Sequence, residues 1–292
     1  MPYFESPVDG TRLHYIDHGP ATGPVAVFVA SAYLGHDMWE YQTLPLAEAG
    51  FRCVALDRRG HGRSDDTWSG YDLDTLADDL YGLLDHLDLS GVTLVGHSVG
   101  TAEVIRCVTR HGTVRVDRVA LVAGVSPGIV RSPNVPEGID PALVRADEES
   151  FRSDRAAWFA RFADDFFAVQ FPENQVSPDY VRYLIDLCLS AGPRAATGIR
   201  AAVAELDIAD ELPGLDLPVL VLHGTHDTSA PLALTGERVA RLVPDGTLKV
   251  YEHGGHGMFV THAARLTADL RDFIEAGAVR TAELAGSDTA GR

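Results

Sequence analysis

The chain has 292 residues, 46% of them hydrophobic and 23% charged, which is room for one large α/β domain carrying an inserted subdomain. Its formal net charge of −18 argues against nucleic acid and anionic membrane surfaces as partners, and weakly disfavours polyanionic substrates. No positively charged start leads into an apolar run, and no uncharged run approaches the length of a bilayer span, so a cytoplasmic location is expected. Cys53, Cys107 and Cys188 lie far apart in apolar segments and read as core residues of a reduced protein, not as a disulfide or a thiol nucleophile.

Along the chain, apolar runs alternate with helical patterns. Thr11–Asp17 reads as an early strand after the Asp9-Gly10 turn. Val25–Ala30, Phe51–Leu56 and Val92–Val95 are continuous apolar runs, as expected of strands buried on both faces. Leu73, Leu76, Ala77, Leu80, Leu83, Leu84 and Leu87 follow the 3.6-residue period of an amphipathic helix. Arg118–Ala123, Val219–His223 and Thr247–Tyr251 predict further strands, and Leu266, Leu270, Phe273 and Ile274 a final helix. The alternation predicts an α/β fold: a doubly wound, mostly parallel sheet with helices on both faces.

That alternation breaks between Gly128 and Leu215, where Arg152–Val169, Pro178–Ala191 and Arg194–Leu206 read as three helices with no clear strand between them. The expected organisation is therefore a core of residues 1–127 and 216–276, a helical cap over 128–215, and a mobile tail over 277–292. The cap is dense in aromatic residues. Trp158, Phe159, Phe162, Phe166 and Phe167 fall on one broad helix face. Most of such a face packs the cap's own core, but part of it is placed to roof an apolar pocket.

One motif stands out. Gly96-His97-Ser98-Val99-Gly100 directly follows the run Val92–Val95 and opens the helical stretch Val99 to Thr109. This is G-x-S-x-G in a strand–turn–helix setting. A serine on so sharp a turn is forced into strained backbone geometry, and glycine on either side removes the Cβ atoms that would clash. The result is a hydroxyl standing clear of the sheet, with the Val99 N–H aimed at a bound carbonyl oxygen. Such a hydroxyl needs a base, and the base an orienting acid. Asp227 follows the strand Val219–His223, and His256 lies in Gly254-Gly255-His256-Gly257 after the strand Thr247–Tyr251. Both fall at the carboxyl ends of strands, where functional groups gather in open parallel sheets.

With these residues the chain resembles the α/β-hydrolase fold superfamily over roughly residues 10 to 276. It looks closest to the cofactor-free haloperoxidase and esterase branch, in Asp57-Arg58-Arg59-Gly60-His61-Gly62-Arg63-Ser64, in the segment from Gly96 to Arg110-His111-Gly112-Thr113, and in Gly255-His256-Gly257 with Thr261-His262 and Arg265-Leu266. The resemblance implies Ser98 as nucleophile, His256 as base and Asp227 as acid, with no cofactor. The family's other acid position holds Gly124, Val125 and Ser126, none of them a carboxylate. Where relatives carry His-Gly after the strand Val25–Ala30, alignment on Trp39 puts Ala30-Ser31. The second oxyanion donor is then the main-chain N–H of Ala32, which needs no particular side chain. Haloperoxidase-like members place an aromatic residue and then proline here; this chain has Ala32 and Tyr33, which lowers the expectation of peracid chemistry. Tyr33, Trp158 and Phe162 are the candidates to line a substrate pocket.

Other readings of the histidines are weaker. His223, His226 and Asp227, or His253 and His256, can be written as metal-ligand clusters, but each set spans a strand-to-loop junction and the triad already uses two members, so no metal is expected. His61 and Asp57 read as parts of a hydrogen-bonded turn, and His97 as packing behind the serine. No G-x-G-x-x-G follows a strand with an acidic partner, so no dinucleotide is expected. The leading function is hydrolysis of a small-molecule ester or lactone through an acyl-enzyme. A perhydrolase or haloperoxidase, a lyase or cyclase reusing the triad, and a binding module with a vestigial triad are the competing readings, and homo-oligomerisation is left open. Fold analogy alone does not choose among these chemistries.

Overall fold

The structure is a computed structural model that describes residues 2–289, with side chains described as far as Gly277. Its strands are β1 (Tyr3–Glu5), β2 (Arg12–His18), β3 (Val25–Val29), β4 (Arg52–Leu56), β5 (Val92–His97), β6 (Val116–Val122), β7 (Val219–Gly224) and β8 (Gly246–Tyr251). They form one eight-stranded sheet in the order β1-β2-β4-β3-β5-β6-β7-β8. β1 and β2 pair antiparallel to their neighbours and every other pairing is parallel. The α/β doubly wound architecture expected from the alternation is the one observed.

The helices are α1 (Glu40–Glu48), α2 (Leu73–His86), α3 (Val99–His111), α4 (Pro141–Ser153), α5 (Arg155–Phe167), α6 (Pro178–Ser190), α7 (Pro193–Ala204), α8 (Gly236–Leu242), α9 (Met258–Thr261) and α10 (Ala263–Thr289). Side chains alternate along β3. Val27 and Val29 join one core with Leu76, Leu80 and Leu83 of α2, Ile105 of α3 and Val239 of α8. Ala26 and Phe28 join the other, with Leu46 of α1, Met258 of α9 and Leu266 and Leu270 of α10. Period-2 strands meeting period-3.6 helices on both faces give a three-layer stack. Cys53, Cys107 and Cys188 are free and buried, and burial pushes each thiol up to about 12. Among the described residues no helix is long and apolar enough to cross a membrane.

Between β6 and β7 there are four helices, not the three expected. The extra one, α4, is announced by Asp140 followed by Pro141: the Asp140 carboxylate accepts from the Ala142 N–H and proline occupies the first turn. The helix expected over Arg152–Val169 corresponds to α5, and its first two residues, Arg152 and Ser153, belong instead to the end of α4. Asp154, in extended backbone, caps α5 by accepting from the Ala157 N–H. Phe151 and Phe159 pack into the second core, and Ala195 and Ile199 of α7 into the first. The expected tail from 277 falls largely on residues whose side chains lie outside the described ones, and 290–292 lie outside them altogether.

Helix α1 escapes sequence periodicity because Pro45 sits inside it. A proline lacks the N–H that would bond the carbonyl four residues back. Here that carbonyl, of Tyr41, accepts instead from the Thr267 hydroxyl at 3.0 Å, so α10 supplies the missing donor. The packing of α2 generates a stability prediction. Leu80 is completely buried in the first core, so Leu80→Ala should destabilise the protein by about 2–5 kcal/mol in urea unfolding. Val114→Ala, at a side chain 89% exposed, should stay within about 0.5 kcal/mol of the parent.

Candidate active site

Ser98 lies between β5 and α3 with φ 56° and ψ −119°, a left-handed conformation that non-glycine residues rarely adopt. The two flanking glycines are sterically required. A Cβ on Gly96 would stand 2.4 Å from the Gly100 carbonyl oxygen, and one on Gly100 would stand 2.7 Å from that of Val29. Hydrogen bonds hold the turn: the Ser98 N–H donates to the Val122 carbonyl, and the Ser98 carbonyl accepts from the N–H and, at 2.6 Å, the hydroxyl of Thr101. Ser98 is 6% exposed. The Val99 N–H, first in α3, and the Ala32 N–H donate to no other group among the described residues.

Asp227 and His256 are both buried, on the loops after β7 and β8. His256 Nδ1 donates to Asp227 Oδ2 at 2.8 Å, and the Ala230 N–H donates to Asp227 Oδ1 at 2.8 Å. Burial pushes the Asp227 carboxyl up, but the charge of His256 and the hydrogen bonds from His223 and His256 outweigh it and hold the group well below the usual carboxylate range. His223 Nε2 lies 3.4 Å from Asp227 Oδ2 and donates to the Ala230 carbonyl at 2.7 Å. The hydrogen bond to Asp227 orients the His256 imidazole with Nδ1 toward the carboxylate and Nε2 on the far side of the ring.

The His256 loop is pressed against the end of α5. The Gly257 N–H donates to the Phe166 carbonyl at 2.7 Å, and a Cβ on Gly255 would stand 2.7 Å from that same oxygen. The Phe166 ring meets His256 edge-on at 5.3 Å. Behind it, His97 Nε2 donates to the His256 carbonyl at 2.9 Å. His97 is buried packing, as expected for the residue before the serine.

The loop after β3 is held by side chains from outside it. Arg58 donates to the Ala30 carbonyl at 2.8 Å and the Ser31 carbonyl at 3.2 Å, while its Nε bonds the buried Glu103 of α3 at 2.8 Å. The Ser31 N–H donates to the Met38 sulfur at 3.1 Å. Further along, the His36 N–H donates to Asp57 at 2.7 Å. Sequence reading missed Arg58 and Glu103. A charged residue just past an apolar strand and another within an apolar helix are the available signal, since buried charges are rare unless paired.

Of the candidate pocket residues, Tyr33 and Trp158 come together, their rings 6.3 Å apart, with Phe151 and Phe159 at 5.5 and 5.1 Å from Tyr33. Phe162 is 37% exposed and packs between Trp158 and Arg161, without a ring contact to Tyr33. His226 and His253 flank the Phe171 ring, and His253 is paired with Glu173. Among the described residues, the set of three donors near enough to share an ion is elsewhere: His14, His36 and Asp57, all buried. Both histidines direct Nδ1 at the Asp57 carboxylate, which also accepts the N–H groups of His36 and Arg63. Its acceptor positions are thus filled by protein donors.

A sequence profile for the alpha/beta hydrolase fold matches residues 24–263. The chain belongs to the α/β-hydrolase fold family. Among curated relatives, it is 38% identical over 272 residues to a non-heme chloroperoxidase of Streptomyces lividans, covering 91% of this chain and 97% of that one. It is 33% identical over 267 residues to a bifunctional esterase/perhydrolase of Acinetobacter calcoaceticus, covering 91% and 97%. Among solved structures, a bromoperoxidase from Bacillus anthracis superposes with a TM-score of 0.88 at 32% identity, over 94% of this chain and 99% of that one. This α/β hydrolase is thus an enzyme whose relatives include both esterases and haloperoxidases.

The buried His97 of this hydrolase generates a pH prediction. Burial, reinforced by neighbouring His256, pushes it down to about 3 from an ordinary 6.5. The unfolded chain therefore takes up a proton below pH 6.5 that the folded chain refuses until about pH 3. Stability is lost as pH falls through that window, by up to about 1.4 kcal/mol per pH unit for one such group. His97→Gln keeps an N–H donor for the His256 carbonyl but does not titrate. Urea unfolding at several pH values from 7 to 4 should show a shallower slope for that variant than for the parent.

Proposed function

We propose that the protein is a serine hydrolase that cleaves a carboxylic ester or lactone of a small, largely apolar molecule through an acyl-enzyme. The observation that carries this reading is the hydrogen bond between His256 and Asp227 at 2.8 Å, with Ser98 on its strained turn and two main-chain N–H groups left over. Ser98 Oγ attacks the ester carbonyl as His256 Nε2 takes its proton. The Val99 and Ala32 N–H groups donate to the tetrahedral oxyanion. Collapse expels the alkoxide, which leaves with the proton from His256. Water, deprotonated by His256, then attacks the acyl-enzyme, and Ser98 departs with that proton. Asp227 keeps the imidazole in one tautomer throughout. The aromatic layer around Tyr33 and Trp158, together with Phe166 beside His256, favours an apolar substrate.

This reading predicts that a fluorophosphonate labels Ser98 and that Ser98→Ala loses about 10⁴ to 10⁶-fold in ester hydrolysis. Asp227→Asn should fold yet lose much of the rate, because the imidazole settles in the wrong tautomer. Turnover by Ser98→Ala equal to the parent's would sink the proposal.

A second reading, perhydrolysis with peroxide in place of water, is favoured by the chloroperoxidase and esterase/perhydrolase relatives. The loop after β3 weighs against it. Tyr33 has φ 66°, whereas a proline ring locks φ near −65°, so this segment does not follow the path of relatives with an aromatic residue and then proline. Water and peroxide compete for one acyl-enzyme, and a misplacement of about 1 Å near the reacting atoms can change rates a hundredfold. Hydrolysis of an aryl acetate should therefore outrun Ser98-dependent halogenation of monochlorodimedone in acetate, bromide and peroxide. The opposite order promotes the perhydrolase reading.

A further inference from the structure

Tyr33 directly follows the proposed oxyanion donor Ala32, and its φ of 66° is one that an aromatic residue keeps only when its surroundings enforce it. What enforces it comes from the inserted helices. The ring is enclosed by Phe151, Trp158 and Phe159. The hydroxyl accepts from Arg200 Nη1 of α7 at 3.1 Å. Arg200 is itself fixed: it donates to Asp147 at 2.6 Å and to Glu148, and its guanidinium lies 4.4 Å from the Phe151 ring centre and 5.0 Å from that of Trp158. The Trp158 indole N–H donates to the other oxygen of Asp147 at 2.9 Å. The contacts thus form a closed circuit, from the Tyr33 hydroxyl through Arg200, Asp147 and Trp158 back to the Tyr33 ring. It draws on α4, α5 and α7 and ends on one residue of the oxyanion loop.

We propose that Arg200 is a positioning residue: by holding the Tyr33 hydroxyl it fixes the Ala32–Tyr33 segment, so that the inserted helices set the direction of the Ala32 N–H. The inference rests on the serine-hydrolase reading for its kinetic consequence, but the mechanical link does not depend on it. The cationic head of Arg200 is neutralised by two carboxylates and buries its face on two aromatic rings, so it is an anchor within the protein and not a receptor for a substrate anion.

The test uses the full chain and p-nitrophenyl esters of acetate, butyrate and hexanoate, with active sites counted by fluorophosphonate labelling. Tyr33→Phe removes only the hydroxyl, and Arg200→Gln removes the charge and the fork. Displacing an oxyanion donor costs less than the 10²–10³-fold of deleting one, so each should lower kcat about tenfold with KM changed by less than about twofold. The double variant should be no worse than Arg200→Gln alone, since the Tyr33 hydroxyl acts only through Arg200. Arg200→Lys, which restores a cation and a donor, should recover part of the loss. Wild-type kcat in Tyr33→Phe, or losses that multiply in the double variant, would overturn the link while leaving the hydrolase reading intact. Absence of Ser98 labelling and ester turnover in the parent would sink that reading instead. In that event amide hydrogen exchange decides the link without turnover: exchange across residues 30–36 must rise in both single variants, and unchanged exchange overturns it.

Discussion

Two stretches of backbone touch at the centre of this protein, and the site depends on that contact. Gly100, in the first turn of α3, lies so close to the end of β3 that a single added carbon would strike the Val29 and Ala30 carbonyls at 2.7 and 2.9 Å. The contact sets how far the serine turn stands from the loop after β3. β3 and β5 are parallel neighbours in register, Val29 opposite Gly96, so both elements emerge at the same end of the sheet. Ser98 and the Ala30–Ala32 segment therefore stand at the same end of the sheet, one strand apart. The glycines mark where side chains would hold them apart.

Around this contact the loop after β3 is built unusually. Its own residues, Ala30-Ser31-Ala32, offer little to fix a conformation, and charged groups from elsewhere do the fixing. Arg58 spans the Ala30 and Ser31 carbonyls while paired with Glu103, and Asp57 collects N–H groups from His36 and Arg63 and both histidine rings. Burying such charges costs several kcal/mol per ion before pairing, and here almost every partner is a backbone atom or a buried side chain of the same region. That arrangement allows a short, small-residue loop to keep one geometry.

The sheet was legible because its inner strands are continuous apolar runs that differ from helical periodicity, and the serine turn because glycine is obligatory there. Asp227 and His256 were legible by position, each just beyond a strand, and the structure brings them into contact. Other parts were hidden for definable reasons. β1 is three residues long, too short for any period. Pro45 disguised α1, and α4 went unread, while the start of α5 was placed at Arg152 because Asp154 serves as the end of one helix and the cap of the next. The supports of the loop after β3 were hidden most deeply. Nothing local to Arg200 in the helix Pro193–Ala204 marks it as the partner of Tyr33; only the fold brings together residues so far apart in the chain.

The sulfur chemistry of the interior has a bearing on oxidants. It is the thiolate that attacks a hydroperoxide, and a thiol pushed up to about 12 by burial holds almost none at neutral pH. Met38 and Met258 are completely enclosed, and the Met38 sulfur is occupied by the Ser31 N–H. Conversion of that sulfur to a sulfoxide would insert an oxygen directly behind the loop after β3, so its enclosure guards the loop's shape as well as its own oxidation state. Among the described residues, peroxide meets no ready thiolate and no open thioether.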